Sequence, residues 1–77
     1  MSLTAQDVLS FLAEQRSLQH VDENTLLFSD GTIDSVGMID LITFIEHKGG
    51  ITVEQADVTL DNFDTVARIV AFVQSKR

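Results

Sequence analysis

Nothing but apolar packing can hold this chain together. Its 77 residues include no cysteine, so disulfides and thiolate metal sites are ruled out. Two histidines, His20 and His47, are too few for a histidine-rich metal centre. A chain of this length forms one small domain, residues 1–77, and buries only about 60% of the surface its unfolded form exposes. Domains this small often lean on staples that are missing here. The 44% of hydrophobic residues must therefore be used efficiently. A helical bundle does that best.

The apolar spacing agrees. Ala5, Val8, Leu9 and Leu12 recur at i, i+3, i+4 and i+7, predicting a first helix from about Thr4 to Arg16. Thr4 with Asp7 three residues on reads as its start signal, and Arg16 suits its negative end. From Ser17 to Ile33 the period fades, with a turn at Asp30-Gly31. Leu18, Val21, Leu26, Leu27, Phe28 and Ile33 keep this long connection apolar, so it is expected to lie across the bundle and seal one end. A second helix runs from Asp34 or Ser35 to about Lys48, stopped by Gly49-Gly50. "ITVEQADVTL" alternates like a strand at Ile51 and Val53, but a lone strand has no partner, and a short helix around residues 53–57 is preferred. Val66, Ile69, Val70 and Val73 mark a last helix, with Phe63 and Phe72 adding bulk and Asn62 or Asp64 as its cap. The expected fold is all-α: three main helices and a short third one in a four-helix bundle with a long first loop.

Charge narrows the function. Twelve acidic against five basic residues give a net charge of −7, which disfavours nucleic acid and anionic membranes. No apolar run approaches the roughly 20 residues of a membrane span. "MSLTAQDVLS" does not read as a secretory signal, so a cytoplasmic, monomeric protein is expected.

The stretch "DGTIDSVGMIDLITFIE", residues 30–46, carries the chemistry. As a hydrolase elbow, G-x-S-x-G, it fails upstream, where Ile33 replaces the first glycine. His47 stands 12 residues along the same helix as Ser35, about 18 Å away, too far to act as its base. His20, on the loop, is not fixed by any helical register. As a calcium loop from Asp30 it fails too, because the sixth and twelfth positions hold Ser35 and Leu41 instead of glycine and glutamate. As an acceptor for a modifying group, Ser35 is well placed. A phosphodiester there would meet the positive end of the helix, Gly37 would let a partner approach, and Asp34 could cap the turn.

This segment resembles the phosphopantetheine attachment site of acyl and peptidyl carrier proteins. Asp34 and Ser35 match the Asp-Ser core of that family's motif, and Val36 replaces its commoner leucine. Ile39, Ile42 and Ile45 fall on its apolar positions, Asp40 and Glu46 on acidic ones, and "NFDTVARIVAFV" looks like its final helix. The resemblance implies an acyl-carrier-protein-like fold and a non-catalytic carrier. Its Ser35 would receive 4'-phosphopantetheine from coenzyme A through a phosphopantetheinyl transferase, and the thiol would carry acyl or aminoacyl groups as thioesters. By the same analogy Asp34 belongs to the attachment site, and Val36, Gly37, Met38, Ile39 and Asp40 meet partner enzymes. A second helix this poor in acid is more like stand-alone aminoacyl or D-alanyl carriers and peptidyl carrier domains, which implies an AMP-forming acyl or amino-acid ligase as partner.

Plainer readings stand beside these. Ser35 alone would be an ordinary N-cap, and at least two of Val36, Ile39 and Ile42 are expected inside, with Met38 the better exposed contact. Asp22, Glu23, Asp57, Asp61 and Asp64 are expected as solvated surface or caps, and both histidines as plain surface. The alternative function is an acidic helical interaction module without a prosthetic group.

Overall fold

The computed structural model describes residues 3–15 and 20–76. Arg16 and Leu18, assigned above to the first helix end and the first loop, lie outside the described residues. Helix α1 spans Ala5–Gln15, α2 Ser35–Gly49, α3 Leu60–Phe63 and α4 Val66–Lys76, with a 3-10 turn at Gln55–Asp57. The described residues include no strand.

Local signals set the helix starts. At α1, Thr4 Oγ1 accepts the Asp7 N–H at 3.1 Å while Asp7 Oδ2 accepts the Thr4 N–H at 3.0 Å, a reciprocal capping box with aspartate in the usual glutamate place. The bond from the Thr4 N–H, with a smaller contribution from the Thr4 side chain, holds the Asp7 carboxyl below its ordinary pKa. At α4 the cap is Thr65, whose Oγ1 accepts the Arg68 N–H at 3.1 Å, and not Asn62 or Asp64 as the sequence suggested. Asn62 instead donates its side-chain amide to the Asp57 carbonyl at 2.8 Å. Phe63 closes the separate four-residue α3 because Asp64 and Thr65 break the helical run before Val66.

The core joins the four helices. Val8 and Leu12 of α1, Leu41 and Ile45 of α2, Phe63, and Val66, Ile69, Phe72 and Val73 of α4 are buried, together with Leu3. Helix α4 packs against both α1 and α3. Phe11 and Phe44 stack with ring centroids 4.4 Å apart, tying α1 to α2. The end of α2 is a close approach: a β-carbon on buried Gly49 would stand 2.9 Å from Val73 Cγ1. Gly50 then takes φ +67°, returning its N–H to the Glu46 carbonyl at 3.0 Å. Lys76 closes the other side, reaching Asp57 at 3.0 Å and Glu54 at 3.2 Å.

The long first connection does seal one end of the bundle. Leu27 and Ile33 are buried, and Val21 and Phe28 pack against the core. Its fastenings run to the start of α4: Leu27 N–H to the Asp64 carbonyl at 2.7 Å, and Ala67 N–H to the Glu23 carbonyl at 3.1 Å.

Candidate functional site

The site grows from the first turn of α2. Asp34 has extended backbone, φ −91° and ψ −175°, and its Oδ1 accepts the Gly37 N–H at 2.8 Å. Its carbonyl accepts the Met38 N–H at 2.9 Å, opening the helical ladder. Asp34 is therefore the N-cap, and Ser35 is the first residue inside the helix, exposed to solvent. The plain N-cap reading of Ser35 does not hold. The N–H groups of Ser35 and Val36 precede the first residue with an intrahelical acceptor and lie at the positive end of a 15-residue helix.

Removing the cap tests this arrangement. Asp34→Ala should cost about 1 kcal/mol, as other N-cap replacements do. In a domain of this size that lowers the melting midpoint by roughly 4–8 °C, measurable by circular dichroism.

The face behind Ser35 differs from the one the spacing suggested. Val36 and Ile39 are 62% and 64% exposed, so the expectation that two of Val36, Ile39 and Ile42 lie inside fails; only Ile42 is half-buried. Gly37, Leu41, Ile45 and Gly49 form the inward row instead, at steps of four residues. Gly37 brings no side chain to that row, so the core begins in earnest at Leu41. Met38, expected as an exposed contact, is half-buried. Of the five candidate contact positions, Val36, Ile39 and Asp40 thus share the surface with Ser35, while Gly37 is buried and Met38 partly so.

Acid is scarcer on this face than the sequence implied. Glu46 Oε2 accepts the Val53 N–H at 2.8 Å and so fastens the next connection to α2. Asp40, Thr43, His47 and Lys48 are exposed along the rest of the helix. Two depressions of about 430 and 380 Å³ flank the Phe11–Phe44 stack, and Ser35 lines neither. Among the described residues no group of three or more His, Cys, Asp or Glu side chains could hold a metal.

Three features escaped the sequence. Leu26 and Leu60 are exposed at 45% and 52%, and nothing in their spacing marks them. Asp64, read as surface or cap, is only 4% exposed, because its carboxylate turns back onto the first connection. Its Oδ1 accepts the N–H groups of Phe28 and Ser29, both at 3.0 Å, and its Oδ2 accepts the Ser29 hydroxyl at 2.6 Å. The Ser29 side-chain bond, followed by those from the backbone, lowers the Asp64 pKa from its ordinary value of 3.8. Both histidines are exposed, as expected.

Known proteins give this arrangement a family. The chain is 37% identical over 67 residues to the D-alanyl carrier protein of Bacillus velezensis, covering 84% of this chain and 86% of that one. It is 33% identical over 78 residues to D-alanyl carrier protein 1 of Lactiplantibacillus plantarum, covering 97% and 95%. A third relative, the D-alanyl carrier protein of Abiotrophia defectiva, is 27% identical over 73 residues, 92% of either chain. No family model matches the chain. This small helical protein is a carrier and not an enzyme. It belongs to the family of the D-alanyl carrier proteins, stand-alone carriers of the acyl- and peptidyl-carrier type. Among the described residues no helix is long and apolar enough to cross a membrane.

Proposed function

We propose that this protein carries an aminoacyl or acyl group on a 4'-phosphopantetheine attached to Ser35. One observation supports this most: Asp34, not Ser35, caps α2, so the Ser35 hydroxyl sits exposed at the helix start. The residues present fit the group. An anionic diester at Ser35 would lie beside the Ser35 and Val36 N–H groups and the positive helix end, where an anion is favoured. When attached, the group supplies a terminal thiol, absent from this cysteine-free chain, that holds its cargo as a thioester.

The protein's part in loading is to present one oxygen. Ser35 Oγ forms a bond to the pantetheine-side phosphorus of coenzyme A, the pyrophosphate bond breaks, and the adenosine bisphosphate leaves. The hydroxyl proton passes to a base on the phosphopantetheinyl transferase. Asp34 keeps the turn in place during this step by holding Gly37. Val36, Ile39 and Asp40, on the surface beside Ser35, are where the transferase and an AMP-forming ligase would dock. Since the relatives are named for D-alanine, D-alanine is the first cargo to test.

The test is loading. The phosphopantetheinylated protein, a D-alanine-activating AMP-forming ligase, ATP and labelled D-alanine should give protein-bound label that hydroxylamine releases. No label with this ligase or with a panel of amino-acid and acyl ligases would refute loading as a thioester on Ser35-bound phosphopantetheine.

Docking has its own test. Ile39→Asp alters an exposed side chain, so stability should change by no more than about 0.5 kcal/mol. Loss of one apolar contact of order 1 kcal/mol should raise the ligase KM for the carrier about fivefold. An unchanged KM would remove Ile39 from the interface.

A further inference from the structure

We propose that Asp64 is a positioning residue for the modification of Ser35, acting through the turn at Phe28–Ser29 and the backbone of Leu27 and Ile33. The inference rests on Ser35 being the attachment point.

The contacts form a short relay. The Asp64 carboxylate takes three hydrogen bonds, all from Phe28 and Ser29. Its main-chain carbonyl takes a fourth, from Leu27 N–H at 2.7 Å. Leu27 in turn accepts the Ile33 N–H at 2.8 Å, and Ile33, itself buried, immediately precedes Asp34. Two backbone hydrogen bonds thus link Asp64 to the residue before the α2 cap. Gly31, at φ +73°, folds the intervening chain back by donating to the Phe28 carbonyl at 3.1 Å.

Asp64's own neighbourhood does not account for this carboxylate. Helix α4 is capped by Thr65, and α3 closes through the Asp64 backbone N–H to the Leu60 carbonyl. Neither uses the Asp64 side chain. A buried carboxylate is costly unless hydrogen-bonded, and all three of these bonds are spent on the connection that leads into Ser35. Without them the connection keeps its apolar anchors, Leu27 and Ile33, and the two backbone bonds, but the Phe28–Ser29 turn between those two residues loosens, and with it the path into the α2 start. The transferase must bring a phosphorus to one oxygen, and such reactions are sensitive to small displacements.

The experiment measures transferase kinetics with coenzyme A on wild type, Asp64→Ala, Asp64→Asn, Ser29→Ala and Val73→Ala, each at a temperature where circular dichroism shows it folded. Val73 packs at the Gly49 end of α2, about 21 Å along the helix from Ser35, and controls for destabilisation alone. Asp64→Ala should lower kcat by about tenfold or more with the KM for coenzyme A unchanged. Asp64→Asn, whose amide oxygen still accepts the Phe28 and Ser29 N–H groups, should recover most of that rate, and Val73→Ala should match wild type. If Asp64→Ala does not fold, Ser29→Ala gives the same test through a single lost bond: slower transfer supports the proposal and unchanged transfer overturns it. Wild-type rates in folded Asp64→Ala, or equal losses in Val73→Ala, would overturn it while leaving the attachment at Ser35 intact. A wild type that takes no group at Ser35 would instead refute the attachment reading itself.

Discussion

Ser35→Ala should give a folded protein that no transferase can load. The stability half of this expectation follows from the helix start. Asp34 provides the cap, so the serine hydroxyl is not needed to satisfy the Gly37 N–H. Ser35 is exposed and inside the helix, where alanine is the better helix former. A surface change of this kind alters stability by no more than about 0.5 kcal/mol. The functional half follows from chemistry, since alanine has no oxygen with which to form a phosphoester. Thermal unfolding would therefore match wild type, while transfer from labelled coenzyme A falls to background. The competing interaction module, which needs only the exposed Val36 and Ile39, predicts a Ser35→Ala protein that works as well as wild type in its native pathway. Full function in that variant would defeat attachment of the cargo through Ser35.

Phe63→Ala should have the largest effect on the fold. Phe63 is 1% exposed, the largest of the fully buried side chains, and lies with its ring centroid 5.3 Å from that of Phe72 at a tilt of 52°. Truncating a buried phenylalanine costs about 3–5 kcal/mol. A 77-residue domain has roughly 4–12 kcal/mol in total, at about 0.05–0.15 kcal/mol per residue. The change therefore removes about a quarter or more of the available stability. Because α3 has only four residues, the side chain that anchors it is also what keeps the α3–α4 junction in place. The variant should melt at least about 12 °C below wild type or lose its cooperative transition. A midpoint within a few degrees of wild type would show that the junction is held by something other than this ring.

The contrast between α1 and α2 shows what the sequence could reveal. In α1 the apolar residues keep to one side, so Val8 and Leu12 were readable as core, and Thr4 with Asp7 gave the start. In α2 apolar residues surround the helix, and periodicity then has no phase. The inward row is decided by packing against other elements, at Leu41, Ile45 and the close approach of Gly49 to Val73. That left Val36 and Ile39 outside, contrary to the spacing argument. The segment "NFDTV" failed for a different reason. Asn62, Asp64 and Thr65 are all capping residue types within four positions, and local rules cannot choose among them. Burial of Phe63 places Asp64 against the first connection, and Thr65 is left to cap α4. The short helix expected at residues 53–57 is a 3-10 turn, with the helical turn proper delayed to Leu60. The cap at the α2 start was legible because Asp34 is a capping type at the edge of an apolar run, with Ser35 following at the first helical position. Asp64 was not, because its partners lie 35 and 36 residues away.

The most direct test of the account is the mass of the intact protein after incubation with coenzyme A and a broad-specificity phosphopantetheinyl transferase, followed by mapping of the modified peptide. A gain of one phosphopantetheine, carried wholly by the peptide containing Ser35, is expected. No gain on folded protein with any of several transferases, or a gain mapped to another residue, would contradict it.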